Sequence, residues 1–165
     1  KYMNGNLIVP NGDYKNDYAL ENVIDYVYES MYACTEDALY SGVEHMNCAD
    51  EVIHDFRHIQ QGKDMMNHHQ VIHLVMTIPV KKNAYDILMK ISQCVIERLA
   101  YEGLQCMMMP HCGSMHDAYN IHAHMVINPI KMDGSRFYAT QDNYRMIRNI
   151  LNDCSRSVKF RVIYK

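Results

Sequence analysis

Between Asn120 and Asn128 the chain reads Asn-Ile-His-Ala-His-Met-Val-Ile-Asn, an alternation of side-chain character that fits an extended backbone. In a β-strand successive side chains point to opposite faces, so His122, His124, Val126 and Asn128 share one face while Ile121, Ala123, Met125 and Ile127 share the other. The second face is wholly apolar and needs a core to cover it. The first carries two imidazoles about 7 Å apart at their roots, a spacing that lets both reach one metal ion. A third ligand then comes from His111, at the end of the preceding strand, or from His116 in the intervening loop. His54 and His58 also have ligand spacing, on one face of a helix. The Asp-Phe-Arg between them lacks the glutamate of a zincin motif, so this pair reads as a solvated face.

The remaining sequence supplies what the apolar face needs. The 165 residues are 48% hydrophobic and 21% charged, which predicts one globular domain. Leu7, Ile8 and Val9 read as a short strand, and the helical spacing of Leu20, Val23, Ile24, Val27 and Met31 predicts a first helix. Ala38 to Gly42 reads as loop, and a second helix runs from a cap at Asn47 as far as Gln61. Val71 to Ile78 is a strand with His73 in its middle, stopped by Pro79. Ile87, Leu88, Ile91, Val95 and Leu99 give the strongest helical periodicity in the chain, closed by Gly103. Leu104 to Met109 follows as a strand, Asp142 to Cys154 as a helix and Val158 to Tyr164 as a closing strand. Strands polar on one side predict an α+β fold: a central antiparallel sheet with helices packed against one face.

Several classes are excluded. No apolar run approaches the ~20 residues of a spanning helix, so no membrane partner is expected. The six cysteines form no Cys-x-x-Cys pair, which removes a zinc ribbon or thioredoxin site and leaves a reducing cytoplasm as the expected setting. The formal net charge of −3 speaks against a sequence-blind nucleic-acid binder. That charge is uneven, however: from Lys131 onward eight Lys or Arg stand against three Asp, so an anionic ligand is admissible there.

The strand His122-Ala123-His124, flanked by apolar residues and ending in Asn128, resembles the HUH metal motif of conjugative relaxases, which nick and rejoin DNA strands in plasmid mobilisation. Four further segments resemble the MobP-type relaxases in the same order along the chain. They are Asn22 to Val27, like the helix that bears the family's tyrosine; Asn47-Cys48-Ala49; Val71 to Pro79, like the strand that carries a His and a Ser-Phe; and Lys131 to Gly134 with the helix Tyr144 to Cys154. In this chain Thr77-Ile78 stands in place of the Ser-Phe, and only Asp117 remains of two acids in the loop before the HUH strand.

This resemblance implies a relaxase domain over residues 1–165, as the N-terminal part of a longer protein, with one divalent ion (Mg, Mn or a transition metal) held by His111, His122 and His124, and His116 as the alternative third ligand. The ion leaves open positions for the scissile phosphate. The nucleophile implied is Tyr26. At ~100° per residue it lies about 120° from the centre of the first helix's apolar stripe, against about 80° for Tyr28, so Tyr26 is also the more exposed. The product would be a 5′-phosphotyrosyl link. His73 is expected as a base or phosphate contact, Asp117 as a carboxylate orienting a ligand, and Asn128 as a DNA contact or a strand end. Arg136, Arg145, Arg148, Lys159 and Arg161 are expected along single-stranded DNA at a transfer origin, with accessory mobilisation proteins as further partners. Rolling-circle initiators and single-tyrosine transposases carry their tyrosine after the HUH strand, which would make it Tyr144; a non-catalytic DNA-binding relative is the other alternative.

Overall fold

Three strands with long apolar faces form the middle of the sheet, and pairing of more distant segments completes it. The computed structural model describes residues 3–115, 120–158 and 161–165. Its strands are β1 (Met3–Ile8), β2 (Leu39–Ser41), β3 (Ile72–Thr77), β4 (Cys106–His111), β5 (His122–Ile127) and β6 (Val162–Tyr164), in the spatial order β2-β4-β5-β3-β1-β6. All neighbours are antiparallel except β1 and β6, a parallel pair at one edge. The helices are α1 (Ala19–Glu29), α2 (Ala49–Gln60), α3 (Ala84–Tyr101) and α4 (Gln141–Arg156). None of the described helices is long and apolar enough to cross a membrane.

The α+β class holds, but the helices cover both faces of the sheet, not one. Leu74, Met76, Met108 and Met125 pack under α3 and α4, against Leu88, Ile91, Leu99, Ile147 and Leu151. On the other face Met107, Met109 and Val126 pack under Leu20, Ile24 and Val27 of α1 and Val52 and Phe56 of α2. Every residue of β4 and β5 is buried in consequence. The histidines make the second face look polar in sequence, yet the apolar residues between them leave enough greasy surface to seat two amphipathic helices.

Residues 39–41, expected as loop, are edge strand β2, because backbone pairing with Cys106 to Met108 overrides their weak local propensity. The closing strand is shorter than expected, and α2 begins one residue after Cys48. Two disulfides, Cys34–Cys112 and Cys94–Cys154, join cysteines that the sequence leaves unpaired. The first belongs to a seam that positions the site. Beside it the amide of Cys34 donates to the Pro110 carbonyl (2.9 Å) and that of Cys112 to the Tyr32 carbonyl (2.9 Å), so the chain leaving α1 is stitched to the end of β4.

Candidate active site

Register brings the histidines together. Antiparallel pairing sets His111 directly opposite His122, and Met109 and Val75 on either side of His124. His73, opposite Val126, reaches His124 along the diagonal. All four imidazoles project toward α1 and are only 3 to 7% exposed. The ring centroids of His111 and His124 are 4.3 Å apart, and those of His122 and His124 5.0 Å.

Hydrogen bonds fix which nitrogen of each ring carries the proton. A carbonyl can only accept, so His111 Nε2 donates to Val27 O (3.0 Å) and His122 Nδ1 donates to Asn120 O (3.1 Å). Val27 O is one of the last four carbonyls of α1, which have no partner within their own helix. The chain of contacts to His124 starts at another carbonyl. Tyr14 Oη donates its single proton to Pro10 O (3.0 Å) and therefore accepts from His73 Nδ1 (3.5 Å). His73 Nε2 is then a bare acceptor for His124 Nδ1–H, 2.8 Å away. Both nitrogens of His73 are thus engaged, and neither is open to a phosphate.

The unprotonated nitrogens converge as a result. With these tautomers Nε2 of His122 and Nε2 of His124 face each other at 3.2 Å, a geometry compatible with a cation shared between them. At metal–nitrogen distances of about 2.0–2.1 Å, two ligands of one ion stand roughly 3.0–3.4 Å apart. Ligand atoms of His111, His122 and His124 all lie within 4.8 Å of one another, so the donor set fits a divalent ion. Burial pushes all four histidine pKa values down, and the neighbouring imidazoles add to this for His73, His111 and His124. His73 falls to about 4 and His124 to about 2. At neutral pH the rings are uncharged and their lone pairs are available.

Tyr26 stands over this cluster. Its ring meets that of His124 edge-on, centroids 6.0 Å apart, while 63% of the residue remains exposed. It separates two open clefts that both reach His124. One, of about 710 Å³, runs past Ile8, Met31, Tyr32, His111 and His122; the other, of about 510 Å³, runs past Asn11, Asp13, Tyr14, Asn22 and His73. Among the described residues no Lys or Arg lines either cleft.

The model of the family "Relaxase: MobA/VirD2-like, nuclease domain" matches residues 26–159. The chain belongs to this relaxase family. No curated protein matches it. The family reading made from the sequence is therefore shown, and with it a DNA-nicking relaxase of the HUH type with the fold of the nuclease domain.

The other residues singled out in this relaxase fall in different places. Tyr28 is half-buried, its hydroxyl 2.5 Å from that of Tyr40; burial and this bond push its pKa well above the ordinary tyrosine range. Tyr144 packs on the α3 and α4 side of the sheet and lines neither cleft. Asn128 is fully buried. Its amide donates to Phe56 O and Gln105 Oε1, and its oxygen accepts from Gln60 Nε2 and Ile130 N, so the expected DNA contact gives way to a strand end locked in place. Arg145 and Arg148 sit on α4, across the sheet from the histidines, with Arg145 paired to Asp142 at 3.1 Å. Arg161 borders a separate cavity beside β6. Arg136 lines a small cavity together with Lys15. His116, Asp117 and Lys159 lie outside the described residues. Sequence reasoning counts Tyr14 only among the tyrosines competing as nucleophile and does not place it beside His73. No local pattern marks it, because its partner His73 is 59 residues away.

Proposed function

We propose that this domain cuts and rejoins one strand of DNA at the transfer origin of a plasmid or integrative element, with Tyr26 as nucleophile. The observation that carries this reading is the placing of Tyr26: exposed, between two clefts, against a ring of the three-histidine cluster. A divalent ion held by His111, His122 and His124 would supply charge stabilisation on the phosphoryl oxygens, which no Lys or Arg among the described residues of the clefts offers. A single strand lies across the two clefts, one flank in each, so that the scissile phosphodiester is presented to the phenol. A bond forms between Tyr26 Oη and phosphorus, and the bond from phosphorus to the 3′ oxygen breaks. The phenol proton leaves through the open clefts and the 3′ oxygen takes one up, so the step is proton-neutral and conserves one phosphodiester linkage for rejoining. His73 serves to orient His124 rather than as a base, since both of its nitrogens are occupied.

The test uses a randomised single-stranded oligonucleotide library labelled at its 3′ end, incubated with the protein and Mg or Mn. Tyr26→Phe should abolish the covalent adduct and Tyr144→Phe should leave it. Loss with Tyr144→Phe alone would transfer the nucleophile to α4. Binding with no adduct under any divalent ion would leave a non-catalytic DNA binder.

A further inference from the structure

A third cavity, of about 190 Å³, lies beyond Tyr14 and is bordered by Lys15, His68, His69, Arg136, Tyr138 and Thr140. Lys15 is outside the part of the chain that the family model matches, and His68 and His69 play no part in the histidine cluster.

Its chemistry is that of an anion site. Among the described residues no carboxylate lies within ion-pair distance of Lys15 or Arg136. Among the described residues the Arg136 guanidinium meets the Asp64 carbonyl and, at 4.0 Å, the Met65 sulfur, and no carboxylate neutralises it. His69 Nδ1 is buried with no hydrogen-bond partner among them. Thr140 is the N-cap of the 16-residue helix α4; its hydroxyl accepts from the Asn143 amide at 3.3 Å, and the helix dipole favours negative charge at this end. The acid in that first turn, Asp142, is already paired with Arg145.

Size and position narrow the ligand. A cavity of about 190 Å³ is well below the roughly 300–1,000 Å³ that engulfs a drug-sized molecule, so it takes a phosphate and not a whole nucleotide. The segment from Asp13 to Asn16 is the wall shared with the second cleft: Tyr14 faces the cleft and Lys15 the cavity. The wall is tied down by the Gln70 amide, which donates to the Tyr14 carbonyl at 2.8 Å. A strand leaving the second cleft over this wall brings its next phosphates to Lys15 and Arg136, and the exposed ring of Tyr138 offers a face for the adjoining base.

We infer that Lys15, Arg136, His69 and the N-terminus of α4 form a second phosphate site, which grips the backbone of the single-stranded substrate away from the bond that is broken. It rests on the proposed function only in taking that substrate to be single-stranded DNA.

The experiment is a salt titration of binding to a fluorescein-labelled, mixed-sequence single-stranded oligonucleotide, read by anisotropy on the full chain. Each phosphate contact on a single strand contributes about 0.7 to the slope of log K against log salt. The double variant Lys15→Gln/Arg136→Gln should lower that slope by about 0.7 and weaken binding about tenfold at low salt. Lys81→Gln/Lys82→Gln removes the same charge from an exposed loop and should leave the slope unchanged. Equal losses in the two double variants, or no loss in the first, would overturn the site. Adduct formation is followed in the parent and in Lys81→Gln/Lys82→Gln alongside the titration; failure of both to form adduct strikes at the nucleophile and leaves the slope comparison standing.

Discussion

His73 Nε2 lies 2.8 Å from His124 Nδ1, and that bond carries a proton assignment from the Pro10 carbonyl, through the Tyr14 hydroxyl, to the middle of the histidine cluster. Tyr14, outside the three-histidine cluster, thereby decides which nitrogen of His124 faces the other two rings.

Removing that support should cost metal affinity. His73→Phe keeps the bulk of the ring but frees His124 to turn, and affinity for Mn or Zn should fall about 10- to 100-fold, the usual range for loss of a group that orients a ligand. Tyr14→Phe acts one bond further out and should cost less than tenfold. Competition against a chelating dye measures both without any DNA. An affinity for His73→Phe within twofold of the parent would show that His124 needs no such partner.

Acid should unfold the metal-free protein through these same rings. All four have folded-state pKa values below the ordinary 6.5, so below that pH the unfolded chain takes up protons that the folded chain refuses. Stability is complete above pH 6.5 and falls as pH drops toward about 4, where His73 itself titrates, by up to about 1.4 kcal/mol per pH unit for each histidine. Thermal melts at pH 7 and pH 5 measure the fall, and saturating Mn at pH 7 should raise the melting temperature. A melting temperature that does not change between pH 7 and pH 5 would contradict the burial of neutral imidazoles.

Asn128→Ala separates structure from contact. It strips partners from Gln60, Gln105 and the amide of Ile130 in a buried place, a loss on the order of 3 kcal/mol. Single-strand affinity of the folded fraction should not move. Weak binding by a variant of unchanged stability would return Asn128 to the DNA surface.

The disulfides make a countable forecast. Unfolded without reductant, the protein should show two reactive thiols, Cys48 and Cys106, out of six cysteines. Each bridge spans 60 or more residues, for which chain entropy gives about 4 kcal/mol. Cys94→Ser should therefore lower the melting temperature of the oxidised protein by about 10 °C and leave the reduced protein unchanged. Six reactive thiols would remove both bridges.

What the sequence made legible was whatever repeats at short range. The α3 stripe, the alternation from Ile121 to Ile127 and the rim position of Tyr26 all follow from spacing within one element. What it hid depends on contacts between distant segments. Strand β2 exists because Met107 and Met108 need an edge partner, and Tyr14 matters because a turn brings it to His73. The second helical layer was hidden by the histidines themselves: a polar residue type reads as a solvated face, yet these rings are buried under α1 and hydrogen-bonded to nearby carbonyls and to each other.

Tyr26 is the partition between two compartments, and this bears on the fate of the severed strand. The two new ends would find themselves in separate rooms with a shared doorway. On the proposed attack by Tyr26, one would be tethered covalently at the threshold and the other held only by its own lodging, free to be exchanged for a different end without the first being released.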